Sequence, residues 1–564
     1  MVALRKKARA QFIRSPSPDT RAKFYKQAAL TKRFIRRQKR LSWFGFCSSL
    51  VEKSPNKKVW NMFRRMEGKQ SFDFQYPIVS NNVLVQDPKL VADTFAHYYS
   101  TVSFNNPLNI VNPLIANMTI TAALSLNSDA VYNTDFSLGE LQNAILSLNH
   151  NSSTGPDHIH NKFFVNLPKL FLGKLLDSIN TSWSLGLIPP EHKLASLIPI
   201  LKPGKDAHEV SSYRPIALLS CFSKLVERLV FNRLYTYIEN NRLLNNNQCG
   251  FRRGHSCTDV LVYLEHYIQL ALRSKKVLLI VFCDIEKAFD SVSHLTILST
   301  LLNKGIKGRM FRWLYDFFNN RSFAVRINNL LSDIIELHQG VPQGAILSPL
   351  LFSLILSDMP SFPDTHSLLY ADDLSLFVVE DSLKSAVSKL QNSLTLCYSW
   401  LRDKALNLNP SKCNVMMFTR KRISNFPGLF LNDVKINLVT KCKFLGLYLD
   451  APLLTWSHHI DYIKSTCNKK LNIMKALTSK SWGANRQILI TFYTAFIKSK
   501  INYGIEIYSS ACPSKLHALE VIQNTALRIV TGLPRSSPIF SLQSESKIPS
   551  IIHSIDFSQI KFFL

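Results

Sequence analysis

The chain has no run of about 18 consecutive apolar residues, the length a helix needs to cross a bilayer. Its nearest approach, Leu350 to Leu356, is far shorter. The opening Met1-Val2-Ala3-Leu4-Arg5-Lys6-Lys7 lacks the apolar core of a signal peptide. Ten cysteines are scattered without a C-x-x-C pair or matching histidines. That removes the usual zinc patterns and, with no secretory signal, any disulfide framework. Internal repeats and long low-complexity tracts are missing as well. The expectation is a reduced intracellular compartment, nucleus and cytoplasm included, with no membrane partner. Acidic residues are also in short supply, with 38 Asp and Glu against 68 Lys and Arg and a formal net charge of +30. Charged residues make up 19% and hydrophobic ones 46% of 564 positions, a globular balance in a chain longer than one ordinary domain.

The positive charge is unevenly placed. Residues 1–70 hold 20 Lys and Arg against 3 Asp and Glu. A block of this kind binds phosphate backbones by releasing counterions, or an anionic membrane, and Lys32-Arg33-Phe34-Ile35-Arg36-Arg37-Gln38-Lys39-Arg40 also suits nuclear import. Phe34, Trp43, Phe44 and Phe46 interleave with the charge, which favours contact with nucleic acid over a merely solvated helix face.

Two carboxylate stations carry the chemistry. Asp284 ends the apolar run Val277-Leu278-Leu279-Ile280-Val281-Phe282-Cys283. Asp372-Asp373 lies inside Leu368-Leu369-Tyr370-Ala371-Asp372-Asp373-Leu374-Ser375-Leu376-Phe377-Val378. Both runs read as buried strands. An Asp-Asp pair is ordinarily solvated in a turn, but a carboxylate emerging from a buried strand is unfavourable by several kcal/mol unless a cation neutralises it. Two stations side by side in one sheet would concentrate negative charge that a divalent metal could hold, and hard oxygen ligands favour Mg²⁺. That is the arrangement of two-metal phosphoryl or nucleotidyl transfer. Asp290 precedes the helical pattern Ser291 to Leu298 and reads as an N-cap rather than a ligand. Elsewhere, Phe323 to Asn329 predicts a strand entering a hairpin turn at Asn328-Asn329. Gly344 to Leu356 predicts a buried helix with Pro349 near its start. A helix is expected from about Ser382 to Leu401 and a strand over Val415 to Phe418.

The same residues belong to an ordered series. Tyr213-Arg214-Pro215-Ile216, Gly250-Phe251-Arg252-Arg253-Gly254, Phe282-Cys283-Asp284 with Phe289, Gly340-Val341-Pro342-Gln343-Gly344, Tyr370-Ala371-Asp372-Asp373, Leu408-Asn409-Pro410-Ser411-Lys412 and Phe444-Leu445-Gly446 follow one another along the chain. The series resembles the fingers and palm motifs of reverse transcriptases from non-LTR retrotransposons of the jockey-like kind. The resemblance implies an α/β (α+β) right-hand polymerase. Its parts would be a basic helical arm (1–72), an N-terminal extension (73–190), fingers and palm (191–450), and a helical thumb and C-terminal region (451–564). The implied activity is an RNA-directed DNA polymerase, with template RNA, a DNA primer or target and deoxynucleoside triphosphates as partners. Two Mg²⁺ ions, with Mn²⁺ as an alternative, would be held by Asp284, Ile285 and Asp372, and Asp373 would tune the site. Phe289 would pack under the sugar and exclude a 2′-hydroxyl. Gln343 and Gly344 would lie beneath the nucleotide, Arg214 would pair with the triphosphate, and Lys412 would protonate the leaving pyrophosphate. Tyr370, Leu445 and Gly446 would touch the primer.

Ala345 and Cys257 depart mildly from the family pattern, standing where Ser and Thr are common. The family usually carries an endonuclease ahead of the polymerase, so the expectation is a polymerase portion whose nick is supplied elsewhere. Three other readings stand beside it. A binding protein that kept the fold would bind without extending, a nuclease would need neither Phe289 nor the Gln343-Gly344 floor, and a group II intron-type maturase shares the same palm.

Overall fold

The computed structural model describes residues 1–50, 60, 61, 64, 66, 77–80, 83–104, 113–423, 425–478 and 483–563. The boundary expected at residues 72 and 73 lies outside them. The chain divides into two compact units, Phe72–Gly446 with Ala451–Leu454, and Met1–Ser71 with Leu447–Asp450 and Thr455–Leu564.

The first unit is built on two sheets. Apart from other short strands, these sheets comprise β1 (Leu194–Leu201), β2 (Tyr213–Leu218), β3 (Val277–Asp284), β4 (Ser322–Ile327), β5 (His366–Tyr370), β6 (Asp373–Glu380), β7 (Asn414–Phe418) and β8 (Asn437–Leu438). One sheet has the order β8-β7-β3-β6-β5, antiparallel except for the parallel β7/β8 pair. In it β3 is central, and Val277 to Cys283 are all buried while Asp284 at its end is partly exposed. A strand covered on both faces must be apolar throughout, which is why its sequence shows no alternation. The helix Cys257–Arg273 buries Val260, Leu261, Leu264, Ile268 and Leu272, and the helix Leu383–Asp403 buries Ala386, Leu390, Leu394, Cys397 and Leu401. Both stripes have helical spacing, and both helices pack on β3. Ser256 and Ser382 cap them through their hydroxyls, and the second helix begins at Leu383 as its cap requires.

The second sheet joins β2 to β1 antiparallel and β1 to β4 in parallel, with β4 turning at Asn328, φ +54°, into the short strand Leu330–Leu331. The expected Asn-Asn hairpin is therefore present. The buried helix expected from Gly344 starts later, at Ser348, because Gly344 adopts φ +145° and breaks the helical path.

The other unit is helical. Val2–Arg14 and Pro18–Ser48 form an antiparallel hairpin, with Phe12 stacked on Phe24 at 6.1 Å and Ser17 and Thr20 making a capping box. Its end is tied to the C-terminal helices by Trp43 Nε1–H donating to the Ala476 carbonyl at 3.0 Å and Asn485 N–H donating to the Leu50 carbonyl at 3.2 Å. The entry to the helix Ser457–Ala476 is held by Asp450, whose carboxylate accepts the N–H groups of Thr455, Trp456 and Ser457 at 2.9, 3.0 and 3.0 Å. No helix among the described residues is long and apolar enough to cross a membrane.

Leu279 lies at 0% exposure in the middle of β3. Leu279→Ala should lower the unfolding free energy by about 2–5 kcal/mol, the transfer term plus an unfilled cavity, measured by urea denaturation.

Candidate active site

The register of the central sheet brings the carboxylate stations together. Asp373, the first residue of β6, is the cross-strand partner of Asp284, the last of β3, and directly opposed residues share a face. Asp373 also pairs with Tyr370, so Ala371 and Asp372 are the two residues of a tight turn. Ala371 sits at φ +59°, a region L-residues rarely enter. The turn is held by Gln248, a fully buried side chain whose Oε1 accepts the N–H of Ala371 at 3.1 Å and of Gly250 at 2.9 Å. Gly250 packs so tightly that a Cβ there would lie 2.2 Å from the Ala371 nitrogen. Cys249 N–H donates to the Leu369 carbonyl at 3.0 Å, completing the clamp.

Arg214, Asp284, Ile285, Phe289, Gln343, Gly344, Asp372 and Lys412 line one open cleft. Asp373, Tyr370, Leu445 and Gly446 do not line it. Tyr370 ends β5, and a hydrogen bond to Cys257, with burial, pushes its hydroxyl up to about 12. Phe444, beside Leu445, packs on Phe282 with ring centroids 4.8 Å apart, which sets the Leu445-Gly446 turn against β3. Phe289 stacks on Phe352 at 4.9 Å and meets the edge of Phe251 at 6.3 Å. Gly344 is needed for an approach by protein backbone, since a Cβ would lie 2.4 Å from the Ala217 carbonyl oxygen, and Ala217 N–H donates to the Gln343 carbonyl at 2.9 Å.

The electrostatics of the cluster favour a cation. Burial pushes Asp372 upward, and the Asp284 charge adds to this. Burial and the charges of Asp372 and Asp284 push Asp373 up to about 6. Lys412 Nζ lies 3.2 Å from Asp284 Oδ2, an ammonium already drawn to the site. Ile285 bridges Leu408 through Asn409 N–H to the Asp284 carbonyl and Glu286 N–H to the Asn407 carbonyl, a pattern that does not use the Ile285 carbonyl. The carboxylates of Asp284 and Asp372 line the cleft together and are hard donors of the kind a divalent ion takes, although no group of three or more His, Cys, Asp or Glu side chains that could hold a metal is found among the described residues.

Residues 200–449 match the family model for reverse transcriptase, the RNA-dependent DNA polymerase. These residues are a reverse transcriptase domain. The chain is 31% identical over 405 residues to the probable RNA-directed DNA polymerase from transposon BS of Drosophila melanogaster, covering 70% of this chain and 44% of that protein. It is 30% identical over 422 residues to the RNA-directed DNA polymerase from mobile element jockey of Drosophila melanogaster, covering 73% and 46%. The chain thus spans about half the length of the curated relatives it matches. Among solved structures, telomerase from Candida albicans in complex with a telomeric RNA fragment aligns with a TM-score of 0.38 at 14% identity, over 68% of this chain and 71% of that one. Reverse transcriptases generally use divalent metal ions, in keeping with the carboxylate cluster.

The reverse transcriptase domain also places groups that the motifs did not flag. Lys202 and Lys287 line the cleft. Burial pushes the Lys202 ammonium down, helped by the nearby charges of Arg214 and Lys412. Their only signal in the sequence is basic charge beside a turn and beside Asp284. Gln248 gave no signal at all, being one amide in a polar loop. Asp290 corrects the sequence reading. The helix His294–Asn303 is capped by Ser293, whose hydroxyl accepts from Thr296 N–H, while Asp290 lies in the short helix Ala288–Ser291 and Oδ1 accepts Gln343 Nε2–H at 2.7 Å. Burial pushes its carboxyl up to about 6.

His294 supplies a pH test of the domain. Its Nε2 lies 2.8 Å from the Gly340 carbonyl, which can only accept, so that nitrogen carries the proton. Burial pushes the imidazole down from 6.5 to about 4. Between those values the unfolded chain binds more protons, so the stability His294 contributes is present above pH 6.5 and lost as pH falls through the window. Relative to His294→Gln, the wild type should lose roughly 3 kcal/mol more unfolding free energy on going from pH 7 to pH 4, read by denaturation at each pH.

Proposed function

We propose that the chain is an RNA-directed DNA polymerase that extends a DNA primer on an RNA template with deoxynucleoside triphosphates, in the manner of non-LTR retrotransposons. The observation that carries this reading is the convergence of eight motif residues from five separate stretches of chain on one cleft. In the reaction the primer 3′-oxygen bonds to the α-phosphorus of the nucleotide. The bond from that phosphorus to the β-bridging oxygen breaks, and pyrophosphate leaves with the electron pair.

Asp284, Asp372 and the carbonyl of Ile285 are the groups to hold the divalent ions, Mg²⁺ first by its preference for hard oxygen and Mn²⁺ as the alternative. Such ions, when bound, acidify the primer hydroxyl and neutralise charge on the phosphates. Asp373, packed against that pair, sets its charge. Arg214 offers a guanidinium fork to the triphosphate, and Lys202 and Lys287 add point charges on the same cleft wall. Lys412 is a proton donor for the pyrophosphate oxygen. The Phe289 ring bars a 2′-hydroxyl, and Gln343 and Gly344 form the floor. Tyr370, Leu445 and Gly446 are the primer-side contacts.

The domain divisions follow from the same reading, with 1–72 as a basic arm, 73–190 as an extension, 191–450 as fingers and palm and 451–564 as thumb. The helix Pro18–Ser48 exposes Lys32, Arg33, Arg36, Arg37, Lys39 and Arg40, which suits a phosphate backbone. A chromosomal DNA primer and an RNA template imply work in the nucleus after synthesis in the cytoplasm.

Purified protein should extend a DNA primer on an RNA template in Mg²⁺ with deoxynucleotides. Asp372→Ala should reduce incorporation by more than about 100-fold while primer-template binding persists. Wild type that binds the primer-template and never extends it would leave a nucleic-acid-binding protein in place of a polymerase.

A further inference from the structure

Asp290 has no role in the assignments above, yet its surroundings are built. It directly follows Phe289, lines the cleft, and accepts the Gln343 amide at 2.7 Å across 53 residues of chain. The same two segments are locked by their backbones. Val341 N–H donates to the Phe289 carbonyl at 2.8 Å, and Gly340 N–H donates to the Val292 carbonyl at 2.7 Å. Gly340 has φ +83°, and a Cβ on it would lie 2.6 Å from the Asp290 carbonyl oxygen. The close approach that seats Gln343 therefore depends on the turn that carries Asp290.

The chemistry of the contact gives it direction. An ionised carboxylate can only accept, so it must face the amide nitrogen of Gln343 and holds that amide in one of its two flip states. A side chain with several rotatable bonds would otherwise sample other rotamers over the floor of an open cleft. The ring of Phe289 hangs from the adjacent residue, with its carbonyl tied to Val341. Gate and floor thus share one anchor.

We propose that Asp290 is a positioning residue of the nucleotide pocket, fixing the Gln343 side chain and the Phe289 ring as a single wall. It acts through those two residues, and the inference rests on the polymerase reading above. The test is single-nucleotide incorporation on a primer-template by the full chain, with dTTP and with UTP. It compares wild type, Asp290→Asn, Asp290→Ala, Gln343→Leu and the Asp290→Ala/Gln343→Leu double variant, with thermal unfolding of each recorded alongside.

Asp290→Ala should raise the KM for dTTP about tenfold, the factor one charge-assisted hydrogen bond supplies, with kcat within about threefold, and should narrow the preference for dTTP over UTP. Asn, whose Oδ1 can accept the same N–H, should recover most of the loss. The double variant should be no worse than the poorer single one, since both remove the same contact. Additive effects, an Asn variant no better than Ala, or an unchanged dTTP preference would overturn the proposal while wild type still incorporates. Wild type that incorporates nothing would overturn the polymerase reading, and this inference with it.

Discussion

A strand that is apolar on both faces until its last residue sets the terms for the rest of the domain. Val277 to Cys283 of β3 are buried, and Asp284 is the first position at which the strand can carry charge. Because side chains alternate with a period of two, a one-residue slip of β6 against β3 would drive an aspartate or its partner to the wrong face. Burying an uncompensated carboxylate is unfavourable by several kcal/mol, so the register that sets Asp373 opposite Asp284 is also the one the core tolerates. The two-residue turn at Ala371 and Asp372 sets the register of β5 on β6, with Tyr370 opposite Asp373.

The sheet alone does not hold the cleft in shape. Three contacts that exclude a side chain do so. Gly250 lets the segment before Phe251 touch Ala371, Gly344 lets β2 touch the floor, and Gly340 lets the segment before Gln343 touch the turn after Phe289. Each approach is to a backbone atom at 2.2 to 2.6 Å from where a Cβ would stand, so no rotamer change could relieve a substitution. Gln248 and Asp290 then add polar anchors beside two of these contacts. Rigidity near the carboxylates thus comes from main chain packed on main chain, with few and specific side-chain bonds.

This division explains what could be read in advance. The strands were legible because fully buried segments are near-continuous branched and aromatic runs, and the helix after Ser382 because its cap and its apolar stripe are local. Eight of the motif residues meet at one cleft, as an ordered series carries spacing as well as identity, while Tyr370, Asp373, Leu445 and Gly446 lie outside its lining. Asp290 was misread because capping rules see only neighbours, and Ser293 satisfied the same rule one turn further on. Its partner Gln343 is remote in sequence, as Ala371 is from Gln248. The late start of the helix at Ser348 was hidden for the same reason, since the backbone of Gly344 answers to Ala217 rather than to its own apolar neighbours.

The charge pattern of the cleft is the remaining constraint. Three carboxylates and four cations line it, with Asp284, Asp290 and Asp372 among Lys202, Arg214, Lys287 and Lys412. The two signs are matched only in part. Among the described residues Lys412 pairs with a lining carboxylate, Asp284, while Asp290 accepts from an amide. Burial holds Asp372 above its usual value, and the neighbouring Asp284 charge adds to it, so Lys412 and Arg214 offset the acidic mouth only in part. Burial pushes Lys202 downward, and Arg214 and Lys412 add to that, so the cationic wall lacks negative charge. A polyanion that arrives with its own divalent cations relieves both imbalances at once, whereas a neutral ligand relieves neither. The metal-chelated triphosphate of the proposed reaction suits this mixed distribution of charge around the cleft.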